Sequence, residues 1–156
     1  MATYAQIPIT PDILSQVFDH LWPRGREELR RVGIGIADAY QSFMEWSRTG
    51  RSGALTADGV PVLVCGIYPE SDRSAFTYMA CSEDFDKHWR AITRTMRREL
   101  KAWPGVVYIY SVCVHDEAEA FFRVLGFERD GWTGRTAAGH ALYRFSRKDA
   151  SKLGGT

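Results

Sequence analysis

The stretch from Glu83 to Val114 constrains the fold more than any other part of the chain. Phe85, Trp89, Ile92, Met96, Leu100 and Trp103 recur at steps of four, three, four, four and three, which draws one apolar stripe along an α-helix from Glu83 to Trp103. The other side carries Lys87, Arg90, Arg94, Arg97, Arg98 and Lys101. Pro104-Gly105 stops the helix. Val106 to Val114 then runs with almost no polar residue and reads as a central strand covered on both faces. A helix set between two strands of one sheet makes a right-handed crossover that joins parallel neighbours. The strand before the helix, Ser74 to Cys81, should therefore lie near Val106 to Val114.

The remaining segments fit around that unit. Tyr4 to Ile9 is a strand candidate. Thr10 caps a helix with Pro11 at its first position, and Ile13, Leu14, Val17, Phe18 and Leu21 form its apolar face. Pro23 should end or bend that helix and Gly25 loosen the joint. Arg26 to Val32 reads as a short second helix stopped by Gly33 and Gly35. Ala37 to Arg48 is a third, with Tyr40, Phe43, Met44 and Trp46 inward. Ser52 to Ala57 and Val60 to Tyr68 flank Asp58-Gly59, the strongest short hairpin signal in the chain. Pro69 to Asp72 turns into Ser74 to Cys81. Downstream, Asp116 to Leu125 is a short helix with Ala118, Phe121, Phe122 and Leu125 inward, ended by Gly126. Phe127 to Trp132 and His140 to Ser146 close the chain as a strand pair around the Gly134 to Gly139 loop. This order predicts an α/β fold with a mixed central sheet and helices on both faces. Residues 1–147 read as a single domain, and 148–156 as a flexible tail.

Charge excludes some functions. The 156 residues carry 20 basic and 19 acidic side chains, so no global field draws the chain to nucleic acid or an anionic membrane. The basic side of the long helix reads as a solvated face, and no aromatic residues interleave there to stack on single-stranded bases. No window is apolar enough for a membrane span, and no signal peptide is evident. Cys65, Cys81 and Cys113 each fall in a strand run and read as buried, reduced thiols, in keeping with the cytoplasm. No His, Cys or carboxylate spacing matches a metal site. Candidates for a general base, namely Glu45, Asp72, Tyr78, His88, Tyr110, His115 and His140, are scattered, and none forms a recognisable pair with another.

The run HDEAEAFFRVLGFERDG, His115 to Gly131, resembles the GCN5-related N-acetyltransferase (GNAT) superfamily. That family often reads Asn-x-x-Ala-x-x-x-Tyr-x-x-x-Gly-Phe after its fifth strand; Ala118 and Gly126-Phe127 match, and the element order agrees from Tyr4 to Ser146. LWPRGREEL (Leu21 to Leu29), the helix ending in REL and the His115 run are also similar to GNAT-like proteins of tailed phages and prophages, internal virion proteins among them. The resemblance implies an antiparallel N-terminal meander, splayed parallel strands four and five, and acetyl-CoA held in the gap between them near Tyr78–Cys81 and Tyr110–Cys113. On it, Met79, Ala80, Cys81, Lys87, His88 and Phe122 are the cofactor-binding candidates, and Tyr110 and His115 the catalytic ones.

The same resemblance exposes departures. The family places glycines where the helix after strand four meets the CoA diphosphate. Here CSEDFDKHW, Cys81 to Trp89, has no glycine and sets Glu83, Asp84 and Asp86 in the first turn, where carboxylates oppose an anion. Lys87 and His88 offset part of that charge. His115 stands at the family's Asn, and Phe122 at the Tyr that protonates the leaving thiolate. These features lead to the expectation of a degenerate acetyl-CoA site in a non-catalytic or virion-associated scaffold. The alternative is an active N-acetyltransferase moving an acetyl group from acetyl-CoA to an unknown small-molecule amine. The implied partners are other phage or virion proteins, that amine, or a second copy of the chain, in the cytoplasm of a bacterial host or inside a phage particle.

Overall fold

The computed structural model describes residues 1–103, 108–114 and 118–147. The expectations for Val106, Val107, His115, Asp116 and the 148–156 tail lie outside them. The elements run β1 (Tyr4–Ile7), α1 (Pro11–Asp19), α2 (Pro23–Val32), α3 (Ile36–Ser47), β2 (Arg51–Ala57), β3 (Val60–Pro69), β4 (Ser74–Cys81), α4 (Phe85–Ala102), β5 (Tyr108–Cys113), α5 (Glu119–Val124), β6 (Phe127–Arg135) and β7 (Ala141–Arg147). One sheet holds all seven strands in the order β1-β2-β3-β4-β5-β7-β6.

Local chemistry sets several boundaries. The Thr10 hydroxyl accepts a hydrogen bond from the Ile13 amide at 3.2 Å, and Pro11 opens α1. Asp58 and Gly59 take φ of 49° and 82°, the left-handed pair that a two-residue hairpin needs. Gly126, at φ 92°, ends α5 and turns the chain into Phe127, which is 1% exposed.

Pro23 starts a helix rather than ending or bending one. α1 stops at Asp19, and α2 begins at Pro23, where the missing N–H and the fixed φ suit a first helical position. Gly25 falls inside the first turn of α2 and is no joint. β6 also runs three residues past Trp132, to Arg135.

The two sheet faces are covered by different helices. On one, Leu55, Leu63, Cys65, Ala75, Ile109 and Phe145 pack against Ile92, Met96 and Leu100 of α4, Phe122 of α5 and Leu125 at its C-cap. On the other, Ala54, Val64, Tyr78 and Ala80 pack against Leu14, Val17 and Phe18 of α1 and Ala39 and Phe43 of α3. This second layer stops at β4, so β5 is not covered on both faces as expected: Val112 is 38% exposed. Trp89 also departs from its stripe and is 47% exposed, beneath the Arg90 guanidinium at 5.3 Å. Periodicity fixes a direction around the helix axis, not whether sheet lies in that direction.

β4 and β5 are parallel neighbours, but the ladder spans only Ser74↔Tyr108, Ala75↔Ile109 and Phe76↔Tyr110. Past Phe76 both strands continue unpaired to each other, as far as Cys81 and Cys113. The sheet is therefore split at this seam. β5 stays anchored on its far side by β7, from Tyr110↔Ser146 to Cys113↔Tyr143.

Candidate active site

The split opens a cleft of about 580 Å³ that passes through the sheet. On the α4–α5 side it is lined by Met79, Cys81, Phe85, Cys113, Phe121 and Phe122, and on the α2–α3 side by Leu29, Phe43, Trp46, Phe76, Tyr110 and Val112. Side chains alternate between sheet faces along each strand, so one gap reaches both layers.

The main chain of β4 shows what the gap presents. The Ser82 amide donates to the Val62 carbonyl, so even-numbered residues of β4 face β3, and the Cys81 carbonyl accepts from the Trp22 amide, so odd-numbered residues face the gap. Met79 lies between the end of the β5 ladder at Phe76 and the bond at Cys81. Its N–H and C=O therefore point into the cleft, with no strand opposite.

At the α4 end of the cleft the main chain bonds to itself. His20 to Trp22 lie along the β4 edge as a strand-like bridge: Trp22 N–H donates to Cys81 C=O at 2.9 Å, and Glu83 N–H to His20 C=O at 2.7 Å. Asp84 N–H donates to the Ser82 hydroxyl at 3.3 Å, Phe85 N–H to Ser82 C=O at 3.0 Å, and Lys87 N–H to Asp84 C=O at 3.0 Å. The Trp22 and Phe85 rings meet beside this turn, tilted by 33° with centroids 4.3 Å apart. An anion at a helix N-terminus needs amides that are still free to donate. Here the Glu83, Asp84, Phe85 and Lys87 amides already have acceptors, and the carboxylates of Glu83, Asp84 and Asp86 crowd the turn.

Met79, Ala80, Cys81, Tyr110 and Phe122 all line the cleft. Burial raises the Cys81 thiol well above its ordinary pKa. Phe122 stacks on Phe145 at 4.5 Å within the core. The Tyr110 hydroxyl donates to Glu70; burial and then that bond push its pKa up to about 12, so at neutral pH it is a protonated donor and not a base. Lys87 and His88 are not brought to the cleft. Lys87 pairs with Asp84 at 3.4 Å, and His88 Nδ1 meets the Tyr4 hydroxyl at 2.8 Å on the β1 side. His115 lies outside the described residues. Of the other base candidates, Tyr78 lines the cleft with its ring laid across Gly66, while Glu45, Asp72 and His140 do not reach it.

The cleft residue that the sequence reading passed over is Glu28. It lines the cleft from α2 with Gly25, Leu29 and Val32. The spacing of these four is one helix face, and that stripe was the available signal. Burial pushes the Glu28 carboxyl up to about 7, against the opposing pull of the Val114 N–H. Its neighbour Glu27 points the other way, and hydrogen bonds from Arg30 and Arg31 hold it down at about 2. A carboxylate near 7 can take a proton at neutral pH, a main-chain N–H can polarise a carbonyl, and apolar walls keep water out. Among the described residues no group of side chains is arranged to hold a metal ion.

No protein-family model and no curated protein matches this sequence. Solved structures do match. The aminoglycoside acetyltransferase AAC(6')-Ib in complex with coenzyme A aligns over 99% of this chain and 100% of its own, at 16% identity and a TM-score of 0.65. The ribosomal-protein-S18-alanine N-acetyltransferase from Escherichia coli aligns over 94% and 93%, at 18% identity and 0.62. Ard1 from Thermoplasma volcanium aligns over 92% and 96%, at 14% identity and 0.64. The mixed sheet, its parallel β4–β5 step and the helices on both faces are thus those of the GNAT acetyltransferase fold.

Proposed function

We propose that this chain is an N-acyltransferase that moves an acyl group from a thioester such as acetyl-CoA to a primary amine. The observation that carries the reading is Glu28, a carboxyl pushed up to about 7 on the wall of a cleft that also receives the Met79 N–H. On this reading Glu28 removes a proton from the incoming ammonium, leaving a nucleophilic amine. The Met79 N–H donates to the acyl oxygen as charge develops there. The amine nitrogen bonds to the acyl carbon, the carbon–sulfur bond breaks, and the thiolate leaves. Phe122 has no proton to give, so the thiolate is protonated by water. The side chains lining the thioester end suit an apolar arm. The turn before α4 does not suit a diphosphate, and no contact to one is assigned.

The test is thiol release from acetyl-CoA and from the short thioester S-acetyl-N-acetylcysteamine, measured with a panel of amines. Turnover that Glu28→Gln lowers at least a hundredfold supports the reading. No release from either donor with any amine overturns it.

The occupied amides before α4 favour a second reading, in which the fold is kept and the reaction lost, as in a scaffold of the phage or prophage kind that the sequence resembles. This reading is supported by the absence of any heat on titration with millimolar acetyl-CoA. It is rejected by catalysis with either donor.

A further inference from the structure

We infer that the α2–α3 mouth of the cleft takes a small amine with a single positive charge and an aromatic or branched apolar body. This deepens the acyltransferase reading and rests on it for the role of the amine, though not for its binding.

The walls of this mouth are rings and branched side chains. Trp46 meets Phe76 edge-on at 4.9 Å and Phe43 at 5.5 Å, and Phe76 lies 6.4 Å from Tyr110. Val112 and Ile34, 38% and 46% exposed, hold apolar surface open to solvent here. Large side chains left exposed around a cavity mark a place where something apolar is covered on binding.

The charges are few. Among the described residues lining the cleft, Glu28 is the one carboxylate and Arg24 the one cation. The Arg24 guanidinium lies over the Trp22 ring at 5.6 Å. Glu70 stands outside the lining and accepts from Tyr110. Arg144, the cross-strand partner of Val112, lies outside the lining, 5.7 Å from the Tyr110 ring, and its charge is paired with Asp130 at 2.8 Å. One ammonium group finds one carboxylate, with aromatic faces nearby to stabilise its charge. A second or third ammonium would be desolvated against Trp46, Phe76 or Val112, with no second carboxylate among the described lining residues to pair with. The mouth thus selects against polycations, whereas the fold neighbour AAC(6')-Ib has been solved with ribostamycin.

The test is calorimetry on the full chain without any donor, using phenethylamine, ethylamine, spermine and the neutral analogue 2-phenylethanol. Phenethylamine is expected to bind at least tenfold tighter than ethylamine and than spermine. Glu28→Gln should remove at least tenfold of its affinity while leaving 2-phenylethanol unchanged. Trp46→Ala should reduce both aromatic ligands; because Trp46 also packs in the core, the exposed Val112→Ser, which removes apolar surface without opening a void, is the second variant and should weaken both at least threefold. Spermine binding as tightly as phenethylamine, equal affinity for ethylamine and phenethylamine, or no effect of Val112→Ser overturns the inference. Thiol release is read separately. Amine binding without turnover sinks the acyltransferase reading alone, and turnover with only polycationic amines sinks this inference alone.

Discussion

The two mouths of the cleft are built by opposite means. At α4 the chain satisfies its own main-chain donors: His20 accepts from Glu83, and Ser82 accepts from Asp84 and Phe85. Carboxylates then complete that turn and stabilise the helix dipole. At α2 the reverse holds. Apolar and aromatic walls leave Glu28 with the Val114 N–H as its opposing influence, and burial dominates. A helix start whose amides are mostly satisfied is stable and has few donors left for a phosphate, while an under-stabilised carboxyl detracts from stability and can take up a proton. Glu27 and Glu28 make the same point within two adjacent residues. Arginines beside the first hold it at about 2, and apolar surroundings push the second to about 7.

The largest expected effect breaks the α2 mouth. On the acyltransferase reading Glu28→Gln keeps the shape and removes the proposed base, so amine-dependent thiol release should fall by on the order of 10²–10⁴. A pH profile separates this from a packing effect: wild-type turnover should rise through about pH 7, and that limb should vanish in the variant.

The same substitution should raise stability. The folded Glu28 carboxyl titrates at about 7, above its ordinary 4.5. The native state therefore binds more protons than the unfolded state between those two values, and stability falls as pH rises through that window. Its contribution is fully present below 4.5 and gone above about 7. Urea denaturation of wild type and Glu28→Gln should give curves whose difference grows to on the order of 3 kcal/mol by pH 8. A difference that does not change with pH would mean that Glu28 is solvated in the folded protein. Glu27, Glu99 and Asp130, all held low, act with the opposite sign at acid pH. Taking the difference between the two proteins removes them.

A second substitution tests the packing of Tyr78, which lines the cleft from β4. A Cβ on Gly66 would overlap the Tyr78 hydroxyl and ring and approach Arg51 C=O at 2.9 Å. Tyr78 is 6% exposed and locked against Phe43 and Trp46. Gly66→Ala should cost about 1–3 kcal/mol, read as a lower urea midpoint with an unchanged slope.

How much of this was legible depended on range. Thr10-Pro11, Asp58-Gly59 and Gly126 carry their geometry in adjacent residues, and the structure places a helix start, a hairpin and a helix end there. The β4–α4–β5 crossover followed from one stripe and one apolar run, because handedness leaves a single way to join them. Pro23 was ambiguous, since proline suits both a stop and a first helical position. The His20–Trp22 bridge to Cys81 and Glu83 joins segments some sixty residues apart, and no local pattern announces it. Glu28 sits in REELRRV, which reads as a solvated charged helix. Its pKa is set by the walls around it, and those come from α3, β4 and β5. The missing glycines of the α4 turn were visible in the sequence; that its amides would find acceptors inside the chain was not.

The smallest expected effect sharpens the α4 mouth. If repulsion alone keeps a diphosphate away, then neutralising Glu83, Asp84 and Asp86 together as Gln, Asn and Asn should restore binding of coenzyme A. Each like charge about 4 Å away is worth roughly 1 kcal/mol in water, so three would predict a gain of more than about a hundredfold. If the decisive feature is that the amides are already bonded, the same variant leaves Glu83 N–H on His20, and Asp84 and Phe85 N–H on Ser82. The gain should then stay below about tenfold, because salt screens exposed charges and no donor is released. We expect the smaller number by calorimetry. The bonds run from 2.7 to 3.3 Å, and the Trp22–Phe85 ring contact lies beside the turn that makes them. A hundredfold gain would show that the two mouths differ in charge alone, and that the bridge from His20 to Trp22 opens whenever an anion arrives.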